Sequence, residues 1–424
     1  MSRVVPLSRF GRGHNRASNV PDIIASCRFN SVYQPILSPT HQKLVGYEAL
    51  VRASRDDQPL APPAVFNEAR ACEQSAELDR YLLHLHLDNF RSGSHPAWLF
   101  VNINPDTCIH PQASLERLAH HCRRSGIHPE RLVLELVETA SDDPQALLGF
   151  VELAKTFGFQ IAIDDFGTGD SNFERLWRMN PLIVKLDRSL LVNAESHARA
   201  RMLLESLVRM IRESGSLVLL EGVENESQAR IALDTEADLL QGFLFARPGA
   251  IGEHTARQAE AALRKAMAQT SESGLMDIQR QEGFLRLLRL EMMDACHRLA
   301  RDEPFDRACG RLLELDSVKR CFVLNQAGVQ QGNLARATPD IQRGSFNPLY
   351  HSAGACWSHR EYFQNALSRP QHISVSRPYV ALPDAKRTVT LSTVIHTDHG
   401  PQVVCVDLHP DELFDGQFTF PATL

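Results

Sequence analysis

Ile161-Ala162-Ile163-Asp164-Asp165 is a short apolar run that ends on two carboxylates. A helix-like segment leads into it. Pro144 stands near its start, Leu147, Leu148, Val151 and Ala154 recur at helical spacing, and Gly158 closes it. A helix, a tight connection and a strand make the repeating unit of α/β folds. Outward from this stretch the same kind of run recurs, each time ending on a polar or charged residue. Before it stand Gly46-Tyr47-Glu48, Leu99-Phe100-Val101-Asn102 and Leu132-Val133-Leu134-Glu135. After it come Leu182-Ile183-Val184-Lys185, Leu217-Val218-Leu219-Leu220-Glu221 and Leu239-Leu240-Gln241. Helical stretches separate most of them. The alternation predicts a closed parallel barrel with helices outside, whose chemistry gathers where the C-terminal ends of the strands meet.

The chain has 424 residues, 43% of them hydrophobic, which implies two or three domains with substantial cores. A net charge of -6 gives no general attraction to a nucleic-acid polymer or an anionic membrane, so a phosphate ligand must be held locally. Nine cysteines stand singly, an odd count with no CxxC pair, which fits a reducing cytosol. His120-His121-Cys122 has no second ligand pair nearby and is not read as a zinc site. No apolar run approaches the ~20 residues of a membrane span. Arg3, Arg9, Arg12 and Arg16 have no apolar stretch behind them and read as a basic tail, not a secretory signal.

The expected organisation is a disordered tail over 1–25, a barrel over 26–252, a helical linker over 253–303 and a smaller α+β domain over 304–424. Strands are expected over 31–36, 44–51 and 98–102, with helices between 62 and 90 and over 196–213. Ser271-Glu272-Ser273-Gly274 is expected to break the linker into two helices. Leu285, Leu288, Met292 and Leu299 form an apolar stripe along its second part. A turn at Asn325-Gln326-Ala327-Gly328 and strands over 373–380, 388–397 and 403–408 make the last domain mainly antiparallel.

Glu48, Glu135, Asp164, Asp165 and Glu221 would bring five negative charges to one mouth against the single positive charge of Lys185. The four charges left over are what two divalent cations cancel. Carboxylate and amide oxygens suit Mg²⁺ or Mn²⁺, and the set holds no soft ligand. A single carboxylate at a strand end is usually a cap or a surface ion pair. Seven strand ends carrying such groups in order outweigh that reading.

Eight blocks, in order, resemble the EAL domain, the family of cyclic-di-GMP phosphodiesterases. They are Tyr33-Gln34-Pro35-Ile36, Glu48-Ala49-Leu50-Val51-Arg52, Val101-Asn102, Glu135-Leu136-Val137-Glu138, 164–169 (Asp-Asp-Phe-Gly-Thr-Gly), Lys185-Leu186-Asp187-Arg188-Ser189, Glu221-Gly222-Val223-Glu224 and 241–245 (Gln-Gly-Phe-Leu-Phe). The likeness covers about 29–248. It implies a modified TIM barrel that hydrolyses one phosphodiester of cyclic-di-GMP to linear pGpG. It also implies that Glu48, Asn102, Glu135 and Asp164 hold a first metal and that Asp164 bridges to a second, with Asp165 as a ligand and Glu221 acting close by. Lys185 would hold the attacking water or stabilise developing charge. Gln241 and Glu224 would support the water and metal shell, and Gln34, Arg52, Asp165 and Glu224 are the candidate substrate contacts. Glu138 would anchor the loop that in the family couples dimerisation to catalysis, so a homodimer is expected. The chain departs from the family at Val137, where Thr or Ser is usual, at Asp170 and Asn172, and at Ala53. No GGDEF sequence is present, so cyclase activity is not expected. The alternatives are a receptor that binds cyclic-di-GMP without hydrolysing it and a protein-interaction scaffold.

The segments 321–328, 357–366 and 376–379 resemble PAS/Cache-type sensor domains, less specifically. The resemblance implies a cytosolic regulatory module in which Trp357, Arg360, Tyr362 and Tyr379 line a small-ligand pocket.

Overall fold

The computed structural model describes residues 23–90, 97–103, 111–137, 144–167, 173–335, 354–381, 386–413, 421 and 423–424; for 137 and 272–280 it describes the backbone only. The chain divides into two compact units, Met1–Glu272 and Ser273–Leu424.

The strands of the first unit are β1 (Arg28–Ser38), β2 (Lys43–Arg55), β3 (Gln58–Leu60), β4 (Trp98–Ile103), β5 (Leu132–Val137), β6 (Gln160–Phe166), β7 (Ile183–Leu186), β8 (Leu217–Leu220) and β9 (Leu239–Leu240). Their order is β1-β9-β8-β7-β6-β5-β4-β2-β3, and pairing of β1 with β2 closes eight of them into a barrel. From β2 through β4 to β9 the pairings around the barrel are parallel. β1 is the exception and runs antiparallel to both β2 and β9, so the barrel is a modified TIM barrel, as the resemblance implies, and not the all-parallel one that the alternation of runs predicts.

Side chains alternate across each strand. Leu132, Leu134 and Leu136, Ile161 and Ile163, Val184 and Leu186, and Val218 and Leu220 point outward to the core beneath the helices. Phe100, Val133, Ala162, Ile183, Leu219 and Leu239 form a separate apolar layer inside the barrel, with Ile36. Two residues further along each of those strands, the inward position is Asn102, Glu135, Asp164, Lys185, Glu221 or Gln241. On antiparallel β1 the order reverses, and Gln34 precedes Ile36. Gly46 makes room for this floor: a Cβ there would lie 2.8 Å from the Phe100 ring.

The helices of this unit are α1 (Ile23–Ser26), α2 (Pro62–Ala71), α3 (Ser75–Asn89), α4 (Pro111–Arg124), α5 (Pro144–Thr156), α6 (Phe173–Met179), α7 (Arg188–Ser196), α8 (Ala198–Glu213) and α9 (Glu226–Asp234). The helix expected over 196–213 is α8; ahead of it stands α7, which Asp187 caps by accepting from Ser189 N–H at 2.8 Å, and His197 separates the two. α10 (Glu253–Leu299) adds Ala259, Leu263 and Ala266 to the barrel's outer core. Its backbone stays helical through 271–274, so the expected break into two linker helices is absent. Ser and Gly cost only about 0.5–1 kcal/mol each inside a helix, too little to end one that is packed on either side.

The second unit contains the end of α10, α11 (Phe305–Glu314), β10 (Val318–Leu324), β11 (Gln330–Ala335), α12 (Glu361–Ser368), β12 (Ser374–Val375), β13 (Tyr379–Val380), β14 (Arg387–Thr397) and β15 (Gly400–Leu408). Its antiparallel sheet has the order β11-β10-β15-β14-β12, with β13 paired to β14. The strand expected over 373–380 is two short ones. Leu288, Met292 and Ala295 of α10 pack on one face with Cys309 and Leu312. α12 covers the other face through Tyr362, Phe363 and Ala366.

Candidate active site

The inward polar layer meets at the barrel mouth around Lys185. Its Nζ lies 2.7 Å from Glu135 Oε1, 2.7 Å from Glu221 Oε1, 2.9 Å from Asp164 Oδ1 and 3.6 Å from Glu48 Oε1. Glu135 and Lys185 are sealed from solvent, and Glu48, Asp164 and Gln241 are buried. Asn102 Nδ2 donates to Glu135 Oε2 at 2.9 Å and more weakly to Glu48 Oε1 at 3.4 Å. Gln241 Nε2 donates to Glu48 Oε2 at 2.6 Å, across 193 residues of sequence. The seven residues at the seven strand ends are thus one hydrogen-bonded and ion-paired cluster.

Two local features aim the acids. The β6–β7 register slips between Ile163 and Phe166, and Asp165 within that slip takes φ 55°, a left-handed conformation that Asp adopts more readily than most non-glycine residues. Asp165 N–H donates to Asp164 Oδ1 at 3.0 Å. The chain after β8 and the chain after β9 then clip together through Val223 N–H to Gln241 O at 3.0 Å and Leu244 N–H to Val223 O at 3.0 Å. Gly242 is required there, because a Cβ would fall 2.0 Å from Val223 O. The clip fixes Glu221 and Gln241 relative to one another.

Burial penalises the charged form of Glu135 and raises its pKa well above the ordinary carboxylate value; Lys185 pulls the other way. Burial, followed by neighbouring acids such as Asp164, raises Glu221 and Asp165 in the same direction. Burial alone would lower Lys185, but the attraction of Asp164, Glu135, Glu221 and Glu48 outweighs it and keeps the ammonium charged. Fully ionised, these acids would hold more negative charge than one lysine can balance, and the raised carboxyl pKa values are the response to that excess.

Asp164, Asp165 and Glu221 each offer an oxygen, and the three oxygens lie within 4.8 Å of one another. The donor set around them is entirely oxygen, and the buried Gln241 Oε1 accepts no hydrogen bond. Hard divalent cations fit such a set. His120-His121-Cys122 forms no comparable group among the described residues: His121 Nε2 pairs with Asp88 at 2.9 Å and Cys122 is buried.

The remaining expected site residues fall less centrally. Gln34 stands opposite Glu48 in the β1–β2 register, is buried, and reaches Ala246 O at 3.4 Å. Arg52 is exposed and donates to Val51 O at 2.9 Å. Glu224 pairs with Arg188 at 2.8 Å, outside the cluster's own contacts. Arg188 was not singled out from the sequence beyond its motif; it also lies over Gly222, where a Cβ would meet its Cγ at 2.4 Å. Glu138, Asp170 and Asn172 lie outside the described residues. In the second unit the four expected pocket residues do come together. The Arg360 guanidinium stands 5.9 Å from the Trp357 ring and 5.3 Å from the Tyr379 ring, and Tyr362 stacks on Tyr379 at 6.0 Å.

Residues 17–248, more than half of the chain, match the family model described as EAL domain. An uncharacterized EAL-domain containing protein of Bacillus subtilis, YkuI, is 27% identical over 235 residues, covering 54% of this chain and 56% of that protein. The bifunctional diguanylate cyclase/cyclic di-GMP phosphodiesterase MucR of Pseudomonas aeruginosa is 28% identical over 222 residues, which is 51% of this chain and 32% of MucR. The chain thus spans between about a third and about half of the length of these relatives. The crystal structure of YkuI in complex with substrate c-di-GMP and calcium aligns with a TM-score of 0.71 at 21% identity, covering 91% of this chain and 97% of YkuI, a likeness of fold.

Proposed function

Because this chain belongs to the EAL-domain family, we propose that its barrel hydrolyses one 3′-5′ phosphodiester of cyclic-di-GMP to give linear pGpG. The observation that carries the reading is the buried ammonium of Lys185 surrounded by Glu48, Glu135, Asp164 and Glu221 at the barrel mouth. Glu48, Asn102, Glu135 and Asp164 would hold one Mg²⁺ or Mn²⁺, and Asp164, Asp165 and Glu221 a second. Bound there, the cations would lower the pKa of water and neutralise the phosphodiester's charge.

The chain's own groups do the rest. Gln241 and Asn102 orient the Glu48 and Glu135 carboxylates by donating to one oxygen of each. Lys185 is the buried ammonium at the centre of the cluster. It donates to the attacking water and stabilises the charge that grows on the phosphoryl oxygens. The sealed apolar floor below it keeps bulk water from reaching the cluster from beneath. Gln34 lies at the same mouth and is the nearer candidate for contact with the dinucleotide; Arg52 and Glu224 reach it only by moving from their present partners.

We assign residues 253–303 to a linker and 304–424 to a PAS/Cache-like regulatory domain, and propose a homodimer regulated through that domain. A small ligand between Trp357, Arg360 and Tyr379 is supported by Arg360 Nε and Gln330 Nε2, two buried donors without acceptors. The free thiols of the described cysteines support a cytosolic setting. Among the described residues no helix is long and apolar enough to cross a membrane.

The test is incubation of the purified chain with cyclic-di-GMP in Mg²⁺, Mn²⁺ or Ca²⁺, with products resolved by chromatography. Formation of pGpG in Mg²⁺ or Mn²⁺ supports hydrolysis. Nucleotide binding with no product in any metal identifies a receptor instead.

A further inference from the structure

The second unit holds a cavity of about 280 Å³ on the α10 face of its sheet, the face opposite α12. α10 forms one wall with Arg289, Met293 and His297, one turn apart on a single helix face; the other wall is Ile373 and the end of β14, with Ile395 and His396. Ile373 and Ile395 are buried and make an apolar floor. Three side chains that carry or can take positive charge, Arg289, His297 and His396, all exposed, stand at the rim of this half-open groove beside Leu424, and no acidic side chain lines it. Among the described residues Arg289 is in no ion pair. Among the described residues, β14 beyond Ser392 pairs only with β15.

We propose that this cavity binds a small monoanion with an apolar body, of the alkyl or aryl carboxylate class. The floor takes the apolar body, and Arg289 takes the carboxylate, for which its planar fork is suited. The histidines supply further donors at the rim. The volume lies at the small end of ligand pockets and suits a ligand of roughly ten non-hydrogen atoms. The site lies outside the residues matched to the EAL family and does not depend on the barrel's activity.

Calorimetry on the full chain tests this with sodium hexanoate, hexan-1-ol and sodium acetate as probes. Hexanoate is expected to bind saturably, and the alcohol and acetate at least tenfold more weakly. Arg289→Gln should weaken hexanoate at least tenfold, while Arg286→Gln, exposed like Arg289 on the same helix but not lining the cavity, should leave it unchanged. Equal affinity for hexanol would mean an apolar groove only, and equal affinity for acetate a bare cationic surface. Either result overturns the proposal, as does unaltered hexanoate binding in Arg289→Gln or no binding at all.

Discussion

Lys185 Nζ lies 2.7 Å from Glu135 Oε1, and neither side chain reaches solvent. Removing an ion from water costs several kcal/mol even after relaxation, so the pair persists only because further partners surround it. Asn102 satisfies the second oxygen of Glu135, and Asp164, Glu221 and Glu48 share the ammonium. Lys185→Met keeps the side chain's length and removes its charge. Turnover of cyclic-di-GMP should fall at least about a hundredfold, the scale seen when one preorganised electrostatic group is lost. The metal-free variant should also melt below the wild type, because the acids lose their common counter-ion, and Mn²⁺ should recover most of that difference. Calorimetric melting with and without Mn²⁺ checks both.

Glu48→Ala should abolish measurable turnover with little change in far-ultraviolet circular dichroism. Glu48 receives hydrogen bonds from Gln241 and Asn102 but sits above the apolar floor, so its loss is local. Full activity in this variant would remove Glu48 from the metal set.

Divalent cations should stabilise the wild type. A ligand at a hundred times its Kd adds about 2.7 kcal/mol to folded-state stability. Mn²⁺ at such an excess should raise the melting temperature reversibly, with chelator restoring the starting value. Glu221→Gln, which removes one oxygen of the Asp164–Asp165–Glu221 group, should shrink the rise. An unchanged rise in this variant would place the cation elsewhere.

Acid should weaken the barrel through His86 on α3. It is buried, its Nδ1 lies 2.8 Å from Ser31 Oγ, and burial pushes its pKa down to about 4. His84 is held down to about 4 as well, by burial and then by His121. The unfolded chain takes up these protons below about pH 6.5, while the folded chain refuses them until about pH 4. Stability is therefore fully present above pH 6.5 and is lost as pH falls through that window, by about 3 kcal/mol for His86 alone. The carboxyls at the mouth, whose pKa values are raised, push the other way over the same range, so the readout is the difference between wild type and His86→Gln: urea unfolding should show the wild type losing about 3 kcal/mol more than the variant between pH 7 and pH 4.

Residues 1–276 should fold and bind cyclic-di-GMP within about threefold of the full chain. The first unit has its own core and keeps Ala259, Leu263 and Ala266 of α10 at this length. A change in rate without loss of binding is the expected result; loss of all binding would mean that the nucleotide site needs the second unit.

The barrel was legible because each strand carries its own two-residue alternation, an apolar inward residue followed by a polar one. That pattern alone points to Asn102, Glu135, Asp164, Lys185, Glu221 and Gln241 as neighbours at one mouth. The direction of β1 was not read. Its trace was present all the same, since Gln34 precedes Ile36 where every parallel strand has the apolar residue first. The bond from Gln241 to Glu48 joins residues too far apart for any local pattern. Glu224 was read toward the metals because its motif is local, while its pairing with Arg188 depends on how two loops cross. The Ser-Glu-Ser-Gly stretch at 271–274 reads as a break by composition, but weak helix formers yield to a helix packed before and after them.

The most direct measurement is the product formed from cyclic-di-GMP by the purified chain in Mn²⁺, resolved by chromatography beside the Lys185→Met variant. The account predicts that the wild type converts the substrate to pGpG and that the variant leaves it intact while still binding it. Intact substrate in both samples, with Mn²⁺ bound and the wild type folded, would contradict it.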